Sequence, residues 1–143
     1  MKKLKIKRNF KPLACKDGDE LYANGIFHFN ITQLTAFIKN SPDQFPVENT
    51  EVKGIRLHVS DALNEETIAN ADLSNPIILA EISPDRFNVI DGNHRLEKAH
   101  RNGKSHVPAY RIRPEQHVAF LKTELAYRTY VKYWNGKVDE RAR

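Results

Sequence analysis

The side chains and backbone best suited to chemistry lie in five consecutive residues, Asp91-Gly92-Asn93-His94-Arg95. They follow an apolar pair, Val89-Ile90, and precede an amphipathic stretch ending near Asn102, so the spacing predicts strand, tight turn and helix. Such a turn leaves backbone N–H groups free at the helix N-terminus, where they and the helix dipole favour an anion. Gly92, without a Cβ, lets that backbone approach a ligand closely. Arg95 suits bidentate contact with phosphate. His94 can donate to a phosphate oxygen or act as acid or base near neutral pH. Asp91, at the strand end, is a candidate ligand for Mg²⁺ or a candidate base toward an attacking hydroxyl. Lys98 follows Arg95 by three residues and shares its helical face, and Arg101 and Lys104 add charge nearby. The competing reading is a plain Asp-Gly-Asn turn, in which Asp91 does no more than cap the helix.

These residues need a frame. Leu4 to Ile6 alternates with lysines as a short edge strand or a tail, and Lys16-Asp17-Gly18-Asp19 reads as a turn. Residues 20–29 hold two apolar runs around Asn24-Gly25, a hairpin signal. Asn30 caps a helix over 31–39 whose apolar face is Ile31, Leu34, Phe37 and Ile38. Residues 42–53 read as a loop. Alternation of Ile55, Leu57 and Val59 with Arg56 and His58 predicts a strand over 52–59, followed by a turn capped at Ser60 or Asp61. Asn64 caps a short helix to residue 71, with Glu65 and Glu66 in its first turn. The apolar run over 76–82 predicts a buried strand that pairs as a hairpin with 87–90 across Ser83-Pro84-Asp85. After the motif helix, with Leu96 and Ala99 inward and Gly103 closing it, comes a strand over 107–112. Pro114 opens a long amphipathic helix over 115–134, with Val118, Leu121, Leu125, Tyr130 and Trp134 inward, and residues 135–143 read as a frayed tail. The order is α+β: a single domain over 1–143 with a small mixed sheet, short helices and a long C-terminal helix.

The chain has 143 residues, 40% hydrophobic and 29% charged, which suits one soluble domain with a core of its own. The net charge of +5 favours anionic partners, nucleotides or nucleic acid, without choosing between them. The basic start of the chain is followed by no apolar run and resembles no signal peptide, and no stretch is long and apolar enough for a membrane span. A cytoplasmic protein is the expectation. The single cysteine, Cys15, excludes an internal disulfide and cysteine-rich zinc sites. No histidine pair has the i, i+4 spacing of a helical metal site, so Mg²⁺ carried in with a nucleotide is favoured over a dedicated zinc site. Gly103-Lys104-Ser105 resembles the end of a P-loop but lacks its first glycine and closes a helix instead of opening one. Tyr127, Tyr130, Tyr133 and Trp134, beside Arg128 and Lys132, admit a base-stacking platform, but at helical spacing they read better as core.

The stretch Phe87-Asn88-Val89-Ile90-Asp91-Gly92-Asn93-His94-Arg95-Leu96-Glu97-Lys98-Ala99, with Asn102-Gly103, Val107-Pro108-Ala109-Tyr110 and the upstream Asn75-Pro76-Ile77-Ile78-Leu79, resembles the core of the ParB/sulfiredoxin superfamily. The likeness covers about residues 55–112 and implies that family's small α+β fold. It also implies an anion or nucleotide site at this turn. Relatives bind nucleoside triphosphates and DNA, use ATP to repair an oxidised cysteine, phosphorylate free serine, or are labelled nucleases. Sulfiredoxins carry a cysteine just before the His-Arg pair, where this chain has Asn93, so that chemistry is not expected. About thirty residues follow the last predicted strand, room for one helix but not for the helix-turn-helix and dimerisation regions of partition proteins. The Asp-Gly-x-His-Arg form lies closest to the kinase-like branch, and Glu65, Glu66 and Glu81 are candidates for its catalytic glutamate.

The sequence therefore predicts nucleotide binding (ATP, ADP or CTP, with Mg²⁺) through Gly92, Asn93, His94, Arg95 and Lys98, with Asp91 and His94 as candidate catalytic groups for phosphoryl transfer or phosphate-ester hydrolysis. The alternative is a nucleic-acid-binding module or a nuclease acting on DNA.

Overall fold

The computed structural model describes residues 2–24, 27–57 and 62–142. The strand that everything else packs around is β4 (Ile77–Ser83), every residue of which is buried. It pairs antiparallel with β5 (Arg86–Asp91) and parallel with β6 (His106–Ile112), and β3 (Glu48–Glu51) completes a sheet of order β3-β6-β4-β5. A parallel pair needs a crossover, and β5 followed by α4 (Asn93–Arg101) supplies it.

Side chains alternate across a strand, so a run buried throughout must be covered on both faces. Ile77 and Leu79 join Val89, Leu96, Ala99 and Val107 on the α4 side. Ile78, Ala80 and Ile82 join the opposite core, built from β2 (Phe27–Asn30), α1 (Ile31–Lys39) and α6 (Glu124–Arg141). β2 pairs with β1 (Leu21–Asn24) in a separate hairpin that leans on β5. Gly25 and part of its turn lie outside the described residues. Asn30 caps α1 by accepting from the Gln33 N–H at 3.1 Å, as its position before the apolar run predicts.

Two expectations fail. Residues 52–55 form a short helix, α2 (Val52–Ile55), and the edge strand is β3, inside the segment read as a loop. The strand reading rested on alternating Ile55, Leu57 and Val59, but Leu57 is 66% exposed and no core lies on its side. Val52 is buried and its N–H donates to Ser105 O at 2.9 Å, which docks the helix onto the turn before β6. Only Thr50 of β3 is buried, so its polar sequence carries no apolar alternation to read. His58, Val59 and the caps at Ser60 and Asp61 lie outside the described residues.

The helix over 115–134 is not continuous either. α5 (Pro114–His117) runs into a 3₁₀ turn (Val118–Phe120), and Leu121 then extends to bridge Phe29. Lys122 N–H donates to His28 O at 2.8 Å, so the hairpin claims this stretch. Thr123 caps α6 by accepting from Ala126 N–H at 3.0 Å. α6 continues to Arg141 through residues expected to fray, and Asn135 ties it to the N-terminal segment by two hydrogen bonds to the Leu4 backbone, at 2.7 and 2.9 Å. Tyr127, Tyr130 and Trp134 pack in the core, whereas Leu125, expected inward, is 75% exposed.

His117 sits wholly buried at this joint, between the rings of Phe29 and Tyr130, and its Nε2 lies 2.8 Å from Glu81 O. Loss of hydration penalises the charged imidazolium and pushes its pKa down to about 4, against 6.5 for a free imidazole. Between those values the unfolded chain binds a proton that the folded chain refuses. Stability is therefore full above pH 6.5 and declines as pH falls toward 4. The decline should reach roughly 3 kcal/mol across that window. Urea midpoints measured near pH 7 and near pH 4.5 should show it, and His117→Gln should flatten the dependence.

Candidate functional site

The turn between β5 and α4 is built on Gly92. Its φ of +104° is open to glycine and costly for other residues, and a Cβ there would lie 2.9 Å from Ile77 Cγ1 and 3.0 Å from Arg95 Nη2. Gly92 is also the N-cap of α4, and no side chain caps that end. The backbone N–H groups of Asn93 and His94 are thus left as donors at a helix N-terminus, the arrangement that suits an anion.

The five motif residues gather at the N-terminal end of α4, and Lys98 lies farther along it, at the C-terminal end of α3 (Glu65–Asn70). Their side chains, however, already hold neighbouring segments. Arg95 donates from Nη1 to the carbonyls of Asn75 and Pro76, at 3.1 and 2.8 Å, and from Nη2 to Asp91 Oδ2 at 2.8 Å. It thereby ties the start of β4, the end of β5 and α4 into one unit. Lys98 Nζ donates to the carbonyls of Ala69 and Ala71, at 2.9 and 2.8 Å, capping that end of α3. His94 Nε2 accepts from the Asn64 N–H at 3.2 Å, at the other end of α3. Accepting at Nε2 in the neutral ring leaves the proton on Nδ1, a donor.

Two cavities flank the turn, and Asp91, Gly92 and His94 line both. The one beside α3, about 480 Å³, is polar: Glu66, Thr67, Asn70, Asp72 and Asn75 face it together with Arg95. Hydrogen bonds from the Ser74 hydroxyl and N–H hold the Asp72 carboxyl below the usual carboxylate range. The cavity toward the hairpin, about 430 Å³, has apolar and aromatic walls from Tyr22, Ile55, Leu57, Leu63 and Phe87, with Glu20 and Asn93 among its polar groups. Among the described residues no three His, Cys, Asp or Glu side chains come together closely enough to hold a metal by themselves. A divalent ion at Asp91 would need ligand phosphates to complete its shell.

Of the three candidate glutamates, only Glu66 reaches the turn. Glu65 pairs with Arg101. Glu81 is buried on another side of the sheet, where it accepts from Arg113 Nη1 at 3.0 Å and from the Asp85 N–H at 2.9 Å. Glu20, Tyr22 and Asp72 belong to the site's surroundings although the motif gives no hint of them. Glu20 and Tyr22 arrive from a hairpin about seventy residues earlier, and no spacing rule connects them to Asp91.

Within this frame the comparison with known families is direct. The family model of the ParB N-terminal domain matches residues 47–124, more than half of the chain. The chain belongs to the ParB N-terminal domain family. The match begins at β3, ahead of the stretch 55–112 that carries the motif resemblance, and takes in the whole four-stranded sheet, the turn and the α5 joint, but not Glu20 and Tyr22 of the hairpin-side cavity. No curated protein and no solved structure gives a match. Among the described residues no helix of this ParB-like module is long and apolar enough to cross a membrane.

The Gly92 geometry is directly testable. Gly103 also has positive φ, +70°, but nothing lies within 4 Å of where its Cβ would stand. Alanine at 103 should cost only the left-handed penalty, about 1–2 kcal/mol, and alanine at 92 should cost about that much again because Ile77 or Arg95 must move. Equal shifts of the two urea midpoints would contradict the close approach.

Proposed function

We propose that this ParB-like module binds a nucleotide at the start of α4, with its phosphates on the Asn93 and His94 backbone N–H groups. The observation that carries this reading is the uncapped helix N-terminus at Gly92, a turn that only glycine fits and that opens onto two cavities. His94 Nδ1–H and the N–H groups of Arg95 not already engaged add donors beside it. The polar cavity, with Glu66, Asp72 and Asp91, suits phosphates that carry Mg²⁺, because uncompensated carboxylates would repel a bare phosphate. The aromatic-walled cavity suits a flat base or an acceptor molecule.

Phosphoryl transfer or phosphate-ester hydrolysis at this site would have Asp91 as base or Mg²⁺ ligand, with the turn N–H groups stabilising charge on the transferred group. Since Asp91 is paired with Arg95, its action as a base requires that pair to open or Arg95 to shift toward the phosphate as it binds. ATP, ADP and CTP are the candidate ligands. Binding to DNA, with or without cleavage, is the other reading, favoured by the net charge of +5.

A thermal-shift series with ATP, ADP, CTP and a short DNA duplex, with and without Mg²⁺, tests the proposal, because a ligand that binds the folded state raises the melting temperature by mass action. Asn93→Asp is the informative variant. A carboxylate in the first turn of α4 stabilises the free helix by about 0.3–1 kcal/mol while repelling phosphate. The expected outcome is a Mg²⁺-dependent nucleotide shift in the wild type that disappears in Asn93→Asp, whose own melting temperature is unchanged or higher. No shift with any nucleotide, or one that survives in Asn93→Asp, refutes the reading. A shift with DNA alone that weakens steeply with salt favours the nucleic-acid module.

A further inference from the structure

The far end of α4 carries a second concentration of positive charge that the motif does not include. Lys53 on α2, His100 on α4, Lys104 in the turn after α4 and His106 at the start of β6 line an open cleft of about 540 Å³, together with Arg56. Three separate elements bring these groups together, and their backbones are pinned. Val52 N–H donates to Ser105 O at 2.9 Å, Lys104 N–H to Ala99 O at 2.9 Å, and Glu51 pairs with His106 in the β3–β6 register. These groups therefore stand on a fixed frame, not on a tail.

The charges of Lys53 and Lys104 are not paired internally. Arg56 is committed to Glu97, at 3.0 and 3.1 Å, and that carboxylate also takes Arg101. Among the described residues the side chains of Lys53, His100 and Lys104 have neither a hydrogen bond nor an ion pair, and Glu51 is the one carboxylate lining the cleft. Like charges gathered without partners repel one another, and an anion in the cleft removes that repulsion. Ser105 Oγ, 2.9 Å from His106 Nδ1, and the ammonium groups of two flexible lysines offer donors to a compact oxyanion.

We propose that this cleft is a second anion site, which takes a phosphate group through Lys53, Lys104 and the two histidines. It lies about a helix length from the Asn93 end of α4, roughly 10 Å along the axis, so the two sites can be filled independently. A phosphate on a nucleic-acid backbone and a free inorganic phosphate share this chemistry.

Histidine ring resonances separate the sites. His100 and His106 report on the cleft and His94 on the motif turn. The full chain is titrated with pyrophosphate and, separately, with a short DNA duplex, and Lys53→Gln/Lys104→Gln is titrated alongside. The expected result is a saturable shift of His100 and His106 that weakens roughly tenfold or more in the double variant, since two charge-assisted contacts are lost. Both lysines are exposed, so the variant should melt with the wild type and keep any response at His94. A response to pyrophosphate alone assigns the cleft to small phosphates, and a response to both ligands assigns it to phosphate on a polymer as well. The proposal is overturned if His100 and His106 stay still with both ligands, if only His94 moves, or if the double variant binds with unchanged affinity. Silence at His94 with a response at His100 and His106 would count against the nucleotide reading and leave this site standing.

Discussion

The Arg95 guanidinium joins three pieces of chain that the sequence keeps apart: the carbonyls of Asn75 and Pro76 before β4, the Asp91 carboxylate at the end of β5, and α4 itself. With side-chain exposure of 13%, it is largely removed from water, so its contacts with Pro76 O and Asp91 are stronger than surface counterparts and leaving either partner orphaned would be costly. The Gly92 turn passes directly beneath it, with Arg95 Nη2 and Nε 3.0 and 3.1 Å from where a Cβ would stand. The left-handed turn, the hairpin β4–β5 and the direction of α4 are thus parts of one arrangement.

That arrangement changes the meaning of the motif. Read as a string, Asp-Gly-Asn-His-Arg offers five groups to a ligand. Folded, Arg95 and Asp91 satisfy each other, His94 accepts from the cap of α3, and Lys98 closes the opposite end of that helix. Among the groups left free are the backbone donors of Asn93 and His94, which are the ones a rigid frame positions best. The side chains that hold the turn in shape keep those N–H groups in fixed positions.

A second constraint is the burial of β4 on both faces. It requires α4 and α2 on one side and α1 and α6 on the other, and so fixes which end of α4 faces the hairpin. The joint at Leu121–Thr123 follows from the same demand. A straight helix from Glu115 could not give Phe29 its partner strand, nor bring Tyr130 O–H and His117 together onto Glu81 O. Backbone pairing with the hairpin outweighs helical continuity there.

The sequence by itself determined those features that rest on local chemistry. The strand–turn–helix at 89–102, the Asn30 and Asn64 caps, the hairpin β4–β5 and the buried run 77–82 each depend on neighbours a few residues away. The family core was legible for the same reason, since its motif is one contiguous turn. Features resting on long-range partners were not legible. β3 is an edge strand with one buried residue, α2 takes its anchor from Ser105, and the break in the last helix is imposed by His28 and Phe29, about ninety residues away. The site divides along the same line. Gly92 had to be a turn glycine on sequence grounds, but only the tertiary structure decided that Arg95 braces the turn and Lys98 closes α3, that Glu66 and not Glu81 lines a cavity beside the turn, and that Glu20 and Tyr22 wall the other. Those outcomes depend on which distant carbonyl or carboxylate a charged side chain meets, and nothing within one helical turn of it specifies that.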